Sequence, residues 1–296
     1  MVNVEKINDF TASLTFDEYR TCYVVQDRKT VLVDCGYPAD HPDLIAGLAQ
    51  LGLSPGSIDY LALTHIHLDH AGGAGHLTRL NPELVVCVHR QGSRHLADPT
   101  RLLQAAASAY GDGYAAIGSM LPVPEANLRT IDSGDTIALG AIHLDVHYTP
   151  GHAKHHVIFH DPFASAIFAG DALGGKFAGK PGFIITPPGD YDKHAAIDSI
   201  NRIQALKPGR INFAHCGSYS LNLLEGFFED LKQGHEQWNR CVAAILNENP
   251  EIETQALWES FLEQLPDLRR YPDHHDSFLL SVRGIRAYIE RKKYRT

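Results

Sequence analysis

The chain has 296 residues, room for one or two domains at roughly 150 residues each. With 44% hydrophobic and 21% charged residues it has the balance of a globular protein with a sizeable core, which excludes disordered and collagen-like classes. Lys and Arg number 26 against 35 Asp and Glu, and the resulting −9 argues against general binding of nucleic acid.

Near the start, Glu5, Lys6, Asp9, Asp17 and Glu18 interrupt any signal-like apolar stretch. Residues 22–25 and 31–33 are β-branched runs around the turn Gln26-Asp27-Arg28 and predict a hairpin, closed by Asp34-Cys35-Gly36. Residues 43–51 place apolar side chains at 44, 45, 48 and 51, a helical period stopped by Gly52 and Pro55. Short strands follow at 60–63 and 84–88, then an Ala- and Leu-rich helix at 100–109, and 110–125 reads as connection. Further strands are predicted at 128–131, 141–148, 155–160 and 165–169.

Residues 172–190 hold five glycines and three prolines and predict a long irregular loop of the functional kind. Asp192 opens a helix with apolar positions 196, 197, 200, 203 and 206, stopped by Pro208-Gly209 before a strand at 211–214. Helices are predicted at 223–246, 254–265 and 277–291. Two strand-rich halves with helices between them predict two sheets packed face to face and covered by helices. No apolar run reaches the ~18 residues that span a bilayer. Five cysteines without C-x-x-C spacing predict free thiols and a cytoplasmic protein.

The chain carries 18 histidines, and their placement matters more than their number. Directly after the strand at 60–63 comes Thr64-His65-Ile66-His67-Leu68-Asp69-His70-Ala71-Gly72-Gly73. Alternate residues leaving a strand can present His65 and His67 to one ion and Asp69 and His70 to a neighbour, and imidazole and carboxylate suit zinc, iron or manganese. Packed together without a metal, these groups would be poorly solvated and mutually unsatisfied. Three later segments also place a ligand type at a strand end: Thr149-Pro150-Gly151-His152, Phe168-Ala169-Gly170-Asp171 and Phe213-Ala214-His215-Cys216-Gly217.

In this order the four segments resemble the metallo-β-lactamase-fold superfamily over roughly residues 20–220, on the side of its glyoxalase-II-like and acyl-thioesterase-like branches. The resemblance implies an α/β fold, an αββα sandwich, with a catalytic domain at 1–220 and a helical extension at 221–296 packed on it. It also implies two divalent metal ions, zinc first, with iron or manganese as alternatives. His65, His67 and His152 would take one ion, Asp69, His70 and His215 the other, and Asp171 would bridge them. Asp69 would further orient a metal-bound hydroxide and shuttle its proton. His156 matches the second histidine of the family's G-H-x-x-x-H pattern and would orient a ligand; for His155 a plain strand-surface residue is an alternative to such a role.

The implied activity is hydrolysis of a thioester or similarly activated acyl compound, a small molecule whose thiolate leaves without needing a proton. A lactonase or other ester hydrolase is the alternative. An iron oxidoreductase on the same fold is disfavoured by His67, where flavodiiron proteins place Glu, and a binding protein by the intact ligand set. No nucleic-acid or membrane partner is expected, and a homodimer is left open. The basic tail, +5 over residues 283–296, leaves −14 for the rest of the chain. Within the C-terminal region Arg269, Arg270, Arg283 and Arg286 are candidates for a cationic wall around an anionic substrate, against a solvated helix face or a subunit contact. Cys35 and Cys216 read as small buried residues, and most histidines outside the motifs as solvated.

Overall fold

The computed structural model describes residues 2–17, 19–177, 180–215, 217–270 and 275–293. The first strands are β1 (Asn3–Lys6), β2 (Thr11–Phe16), β3 (Arg20–Gln26) and β4 (Thr30–Val33), and β3–β4 is the hairpin expected from the β-branched runs. Then come α1 (His41–Gln50), β5 (Tyr60–Ala62), α2 (Leu68–Ala71), α3 (Ala74–Leu80), β6 (Val85–His89), α4 (Arg90–Ala97), α5 (Thr100–Tyr110), α6 (Tyr114–Ile117) and β7 (Leu128–Ile131). These seven strands form one sheet in sequence order, antiparallel up to β4 and parallel from β4 to β7.

The second sheet is built from β8 (Thr136–Ala138), β9 (His143–Tyr148), β10 (Val157–Asp161) and β11 (Ala166–Gly170). After β11 come a small hairpin of β12 (Gly175–Phe177) and β13 (Lys180–Phe183), then α7 (Lys193–Ala205), β14 (Arg210–Phe213) and β15 (Gly217–Ser220). The order in the sheet is β15-β14-β11-β10-β9-β8, with β14 parallel to β11. The helices α8 (Phe227–Glu248), α9 (Thr254–Gln264) and α10 (His275–Lys293) end the chain. Two mixed sheets with helices and a C-terminal helical region are the sandwich that the sequence predicts.

By contacts the chain divides into two compact units. The first comprises Met1–Tyr148, His155–Gly170 and Lys207–Glu225 and holds both large sheets; the second comprises Thr149–Lys154, Asp171–Leu206 and Gly226–Thr296. In the first unit the central strands are buried on both faces, because alternate residues serve two different cores. Tyr23, Val25, Val31 and Val33 point to a core shared with Leu144, Val146, Phe159 and Phe168 of the second sheet. Their neighbours Cys22, Val24 and Leu32 point the other way, to a core with Leu44 and Leu48 of α1 and Leu77 of α3. In the second unit an aromatic core joins three helices to β13: Trp238 lies 5.2 Å from Phe261 and 5.9 Å from Phe278, and Phe183 lies 5.2 Å from Phe278.

Several elements escape the sequence reading. Residues 172–190 are not wholly irregular, since β12 and β13 pair within them; a pairing of three or four residues each needs no apolar period, so periodicity does not show it. The connection at 110–125 contains α6, and β1, β2, β8, α4 and β15 are likewise too short or too polar to announce themselves.

Candidate metal centre

In the first unit the chain leaves β5 through Leu63 and Thr64 and turns into α2, with His67 at the N-cap in extended conformation. Thr64 is held by Asp34, which follows β4: the Thr64 amide and hydroxyl donate to Asp34 Oδ1 and Oδ2 at 2.8 Å each. Because the Thr64 proton goes to a carboxylate, its oxygen is an acceptor for His65 Nδ1 at 3.2 Å. That fixes the His65 tautomer and leaves Nε2 bare, 2.9 Å from His67 Nδ1. Asp34 also accepts from His70 Nδ1 at 2.9 Å, so the bare nitrogen of His70 is again Nε2.

His70 Nε2 lies 3.6 Å from Asp69 Oδ2, and His215 Nε2 lies 3.3 Å from the same oxygen. Nitrogen and oxygen ligands at ~2.0–2.1 Å from a tetrahedral ion stand about 3.3 Å apart. The Asp69, His70 and His215 donor set therefore fits one cation, and a ring nitrogen facing a carboxylate at this distance needs a proton or a metal ion between them. Asp69 is the least buried of the three, with 14% of its side chain exposed against 1% and 6%. The Tyr19 ring stacks on His215 at 4.9 Å.

His155 and His156 are both buried. The Ile66 amide donates to His155 Nδ1 at 3.4 Å, so of the two readings for His155 the strand-surface one does not hold. The His156 ring lies 5.0 Å from that of His65. Gly170, with φ of +49°, ends β11 where a Cβ would come within 2.6 Å of His156 Nε2 and 2.8 Å of Thr64. Only glycine accepts both that dihedral and that approach.

In the second unit His152 and Asp171 meet, with His152 Nε2 3.3 Å from Asp171 Oδ2. His152 Nδ1 donates to the Ile185 carbonyl at 3.0 Å; a carbonyl can only accept, so Nε2 is the bare nitrogen here too. The segment that carries His152 is fastened to the start of α7: the Asp192 amide donates to Gly151 O at 2.8 Å, and Ser199 Oγ to Pro150 O at 2.6 Å. The structure thus brings together His65 with His67, Asp69 with His70 and His215, and His152 with Asp171.

Three residues near these groups carry no sequence signal of a role. Asp34 orients two rings although it is 30 residues from Thr64 and 36 from His70; the Asp-Cys-Gly turn after a strand is its only trace. Ile185 acts through a backbone carbonyl, which no side chain reveals. Tyr37 donates to Tyr110 at 3.2 Å, and burial, then the charge of Asp69, pushes its phenol far above the ordinary range.

Of the candidate arginines, Arg286 spends its guanidinium on Glu290 at 2.7 Å and the Ile252 carbonyl at 2.6 Å. Arg269 is exposed and Arg283 half-buried, while the side chain of Arg270 lies outside the described residues. Cys35 is fully buried, and that burial pushes its thiol well up, which suits a packing residue. Cys216 lies outside the described residues, as do His274 and the side chain of His275. Outside the motifs, His89 and His235 are buried rather than solvated. No helix among the described residues is long and apolar enough to cross a membrane.

The sequence model of the metallo-beta-lactamase superfamily matches residues 16–215. A metallo-beta-lactamase fold-containing protein of Sulfurisphaera tokodaii is 31% identical over 230 residues, covering 74% of this chain and 79% of its own. A hydroxyacylglutathione hydrolase of Jannaschia sp. is 30% identical over 164 residues, 54% of this chain and 52% of its own. The chain therefore spans about half the length of that relative. A solved metallo-beta-lactamase family protein of Thermus thermophilus has a TM-score of 0.66 at 20% identity, over 99% of this chain and 94% of its own, a likeness of fold.

Proposed function

The chain belongs to the metallo-beta-lactamase superfamily, and we propose that it is a dinuclear metal-dependent hydrolase of thioesters or similarly activated acyl compounds. The observation that carries this reading is the facing of histidine ring nitrogens and carboxylate oxygens at 3.3–3.6 Å in the Asp69, His70, His215 set and the His152–Asp171 pair, the spacing of donors around one ion. His65, His67 and His152 would hold one divalent ion and Asp69, His70 and His215 a second, with Asp171 shared. The imidazole-rich donor set favours zinc. Bound divalent ions would lower the pKa of water beside them toward ~7 and polarise the acyl oxygen.

The protein groups have their own parts. Asp69, the member of its set most open to solvent, orients the attacking water and takes its proton at a carboxylate oxygen. Asp34, Thr64 and Ile185 hold the rings of His70, His65 and His152 so that the right nitrogen faces inward. A thiol leaving group, with a pKa of about 8.5, departs as thiolate and needs no general acid. The similarity to a protein named as a hydrolase of hydroxyacylglutathione supports this substrate class.

The test combines elemental analysis with an acyl panel of thioesters, lactones and simple esters assayed without oxygen. Two metal ions per chain and turnover of thioesters first, lactones next, are expected. Asp171→Ala should lose most activity with the fold retained. At most one ion per chain at saturating metal would sink the dinuclear reading, and oxygen consumption matched to product would replace hydrolysis with oxidation.

A further inference from the structure

We infer that the C-terminal helix α10 is a positioning element for His152, acting through a single peptide group. This rests on the reading of His152 as a metal ligand. The Ile185 carbonyl that accepts from His152 Nδ1 belongs to the peptide joining Ile185 to Thr186. The other end of that peptide, the Thr186 amide, donates to Ser281 Oγ of α10 at 3.4 Å. In a planar trans peptide the carbonyl and the amide point opposite ways, so one rigid plane has His152 on one side and α10 on the other.

The contact is built to be close. Thr186 Oγ1 donates to the Ser281 carbonyl at 2.7 Å, using a lone pair that the helix leaves over, and Ser281 Oγ reaches the Ile184 carbonyl at 3.5 Å. Thr186 is fully buried and Ser281 is 1% exposed, so water does not compete for these bonds. One turn along α10, Gly284 lies against the Thr186 carbonyl, and a Cβ there would overlap it. Glycine in a helix interior weakens the helix relative to alanine, so its place here answers to the close approach. Farther along, Arg286 holds the Ile252 carbonyl and Arg291 the Tyr191 carbonyl at 2.8 Å, which fixes the helix along its length. The matched family segment ends at residue 215, so this support comes from residues beyond it.

The experiment measures zinc affinity at each site by competition with a chromophoric chelator, and the visible spectrum of the cobalt-substituted protein. Thr186→Val removes the hydroxyl and keeps the volume; Ser281→Ala removes the group that receives the amide. Each is expected to weaken one of the two metal sites by about 10–100-fold, as losses of ligand-orienting partners do, to alter one set of cobalt bands, and to leave the other site alone. Thr186→Ser should restore both. Arg286→Met loosens the same helix away from residues 184–187, and should lower thermal stability while both affinities stay. If His152→Ala weakens one site but Thr186→Val and Ser281→Ala bind both ions as tightly as the parent, this inference falls and the ligand reading stands. If His152→Ala itself leaves both affinities unchanged, the ligand reading falls and takes the inference with it.

Discussion

Asp34 sits at φ of +59° directly after β4, a left-handed conformation that few residues other than glycine adopt, and it is 3% exposed. Its carboxylate accepts from the Thr64 amide, the Thr64 hydroxyl and His70 Nδ1, which offsets its desolvation and turns two rings at once. A different buried histidine ties stability to pH. His235 is 5% exposed, and its Nδ1 lies 2.9 Å from Tyr191 Oη, which itself accepts from Asn239 Nδ2 at 2.9 Å. Tyr191 and His235 thus share one hydrogen bond, and burial lowers the His235 pKa from 6.5 to about 3, so the ring stays neutral. The folded form thus resists protonation while the unfolded form accepts it. The contribution is complete above pH 6.5 and declines as pH falls toward 3, by up to about 1.4 kcal/mol per pH unit. Urea unfolding at pH 7.5, 6.0 and 5.0 should show His235→Gln less stable than the parent at the highest pH, with a shallower decline below it. Parallel declines would remove His235 from the account.

At the scale of elements, α7 is the piece that holds the His152 segment. Its N-cap is Asp192, whose Oδ1 accepts from the His194 and Ala195 amides at 3.0 and 3.1 Å. The same residue's backbone amide donates to Gly151 O, so the cap and the His152 segment share one anchor. Asp192→Ala should cost about 1 kcal/mol, seen as a lower urea midpoint at unchanged m-value, and Asp192→Ser should recover most of it. A drop in m-value would mean instead that the helix start unfolds separately. Gly170 marks the matching constraint at the end of β11, where the strand hands over to Asp171.

For the molecule as a whole, metal binding and folding are linked, because the donor groups converge only in the folded chain. A ligand at a hundredfold excess over its Kd stabilises by about 2.7 kcal/mol per site. Zinc-saturated protein should therefore melt above chelator-treated protein by several degrees, given about 2–4 °C per kcal/mol for chains of 150–250 residues. Equal melting temperatures with and without chelator would show that the donor groups hold no metal of consequence. The C-terminal region bears on this as well. Deletion of residues 266–296 removes Ser281 and Gly284, which are seated on residues 184–187, and should therefore lower metal content.

The sequence alone determined the elements whose signal is local. The β3–β4 hairpin, the capped helix α7 and the long C-terminal helices each follow from a period or a stop within a dozen residues. The density of His65, His67, Asp69 and His70 in six residues likewise announces a metal site by itself. His152, Asp171 and His215 were legible only through resemblance, since one ligand type at a strand end is common. What the tertiary structure decided is which ring nitrogen of His65, His70 and His152 is held by a protein partner. That depends on Asp34, on the Ile185 carbonyl and, 95 residues away from Thr186, on Ser281. Backbone carbonyls are identical in every residue, and a carboxylate or a glycine gains its meaning from what lies beside it. Partners brought close by the fold across such separations leave no period in the sequence to be read.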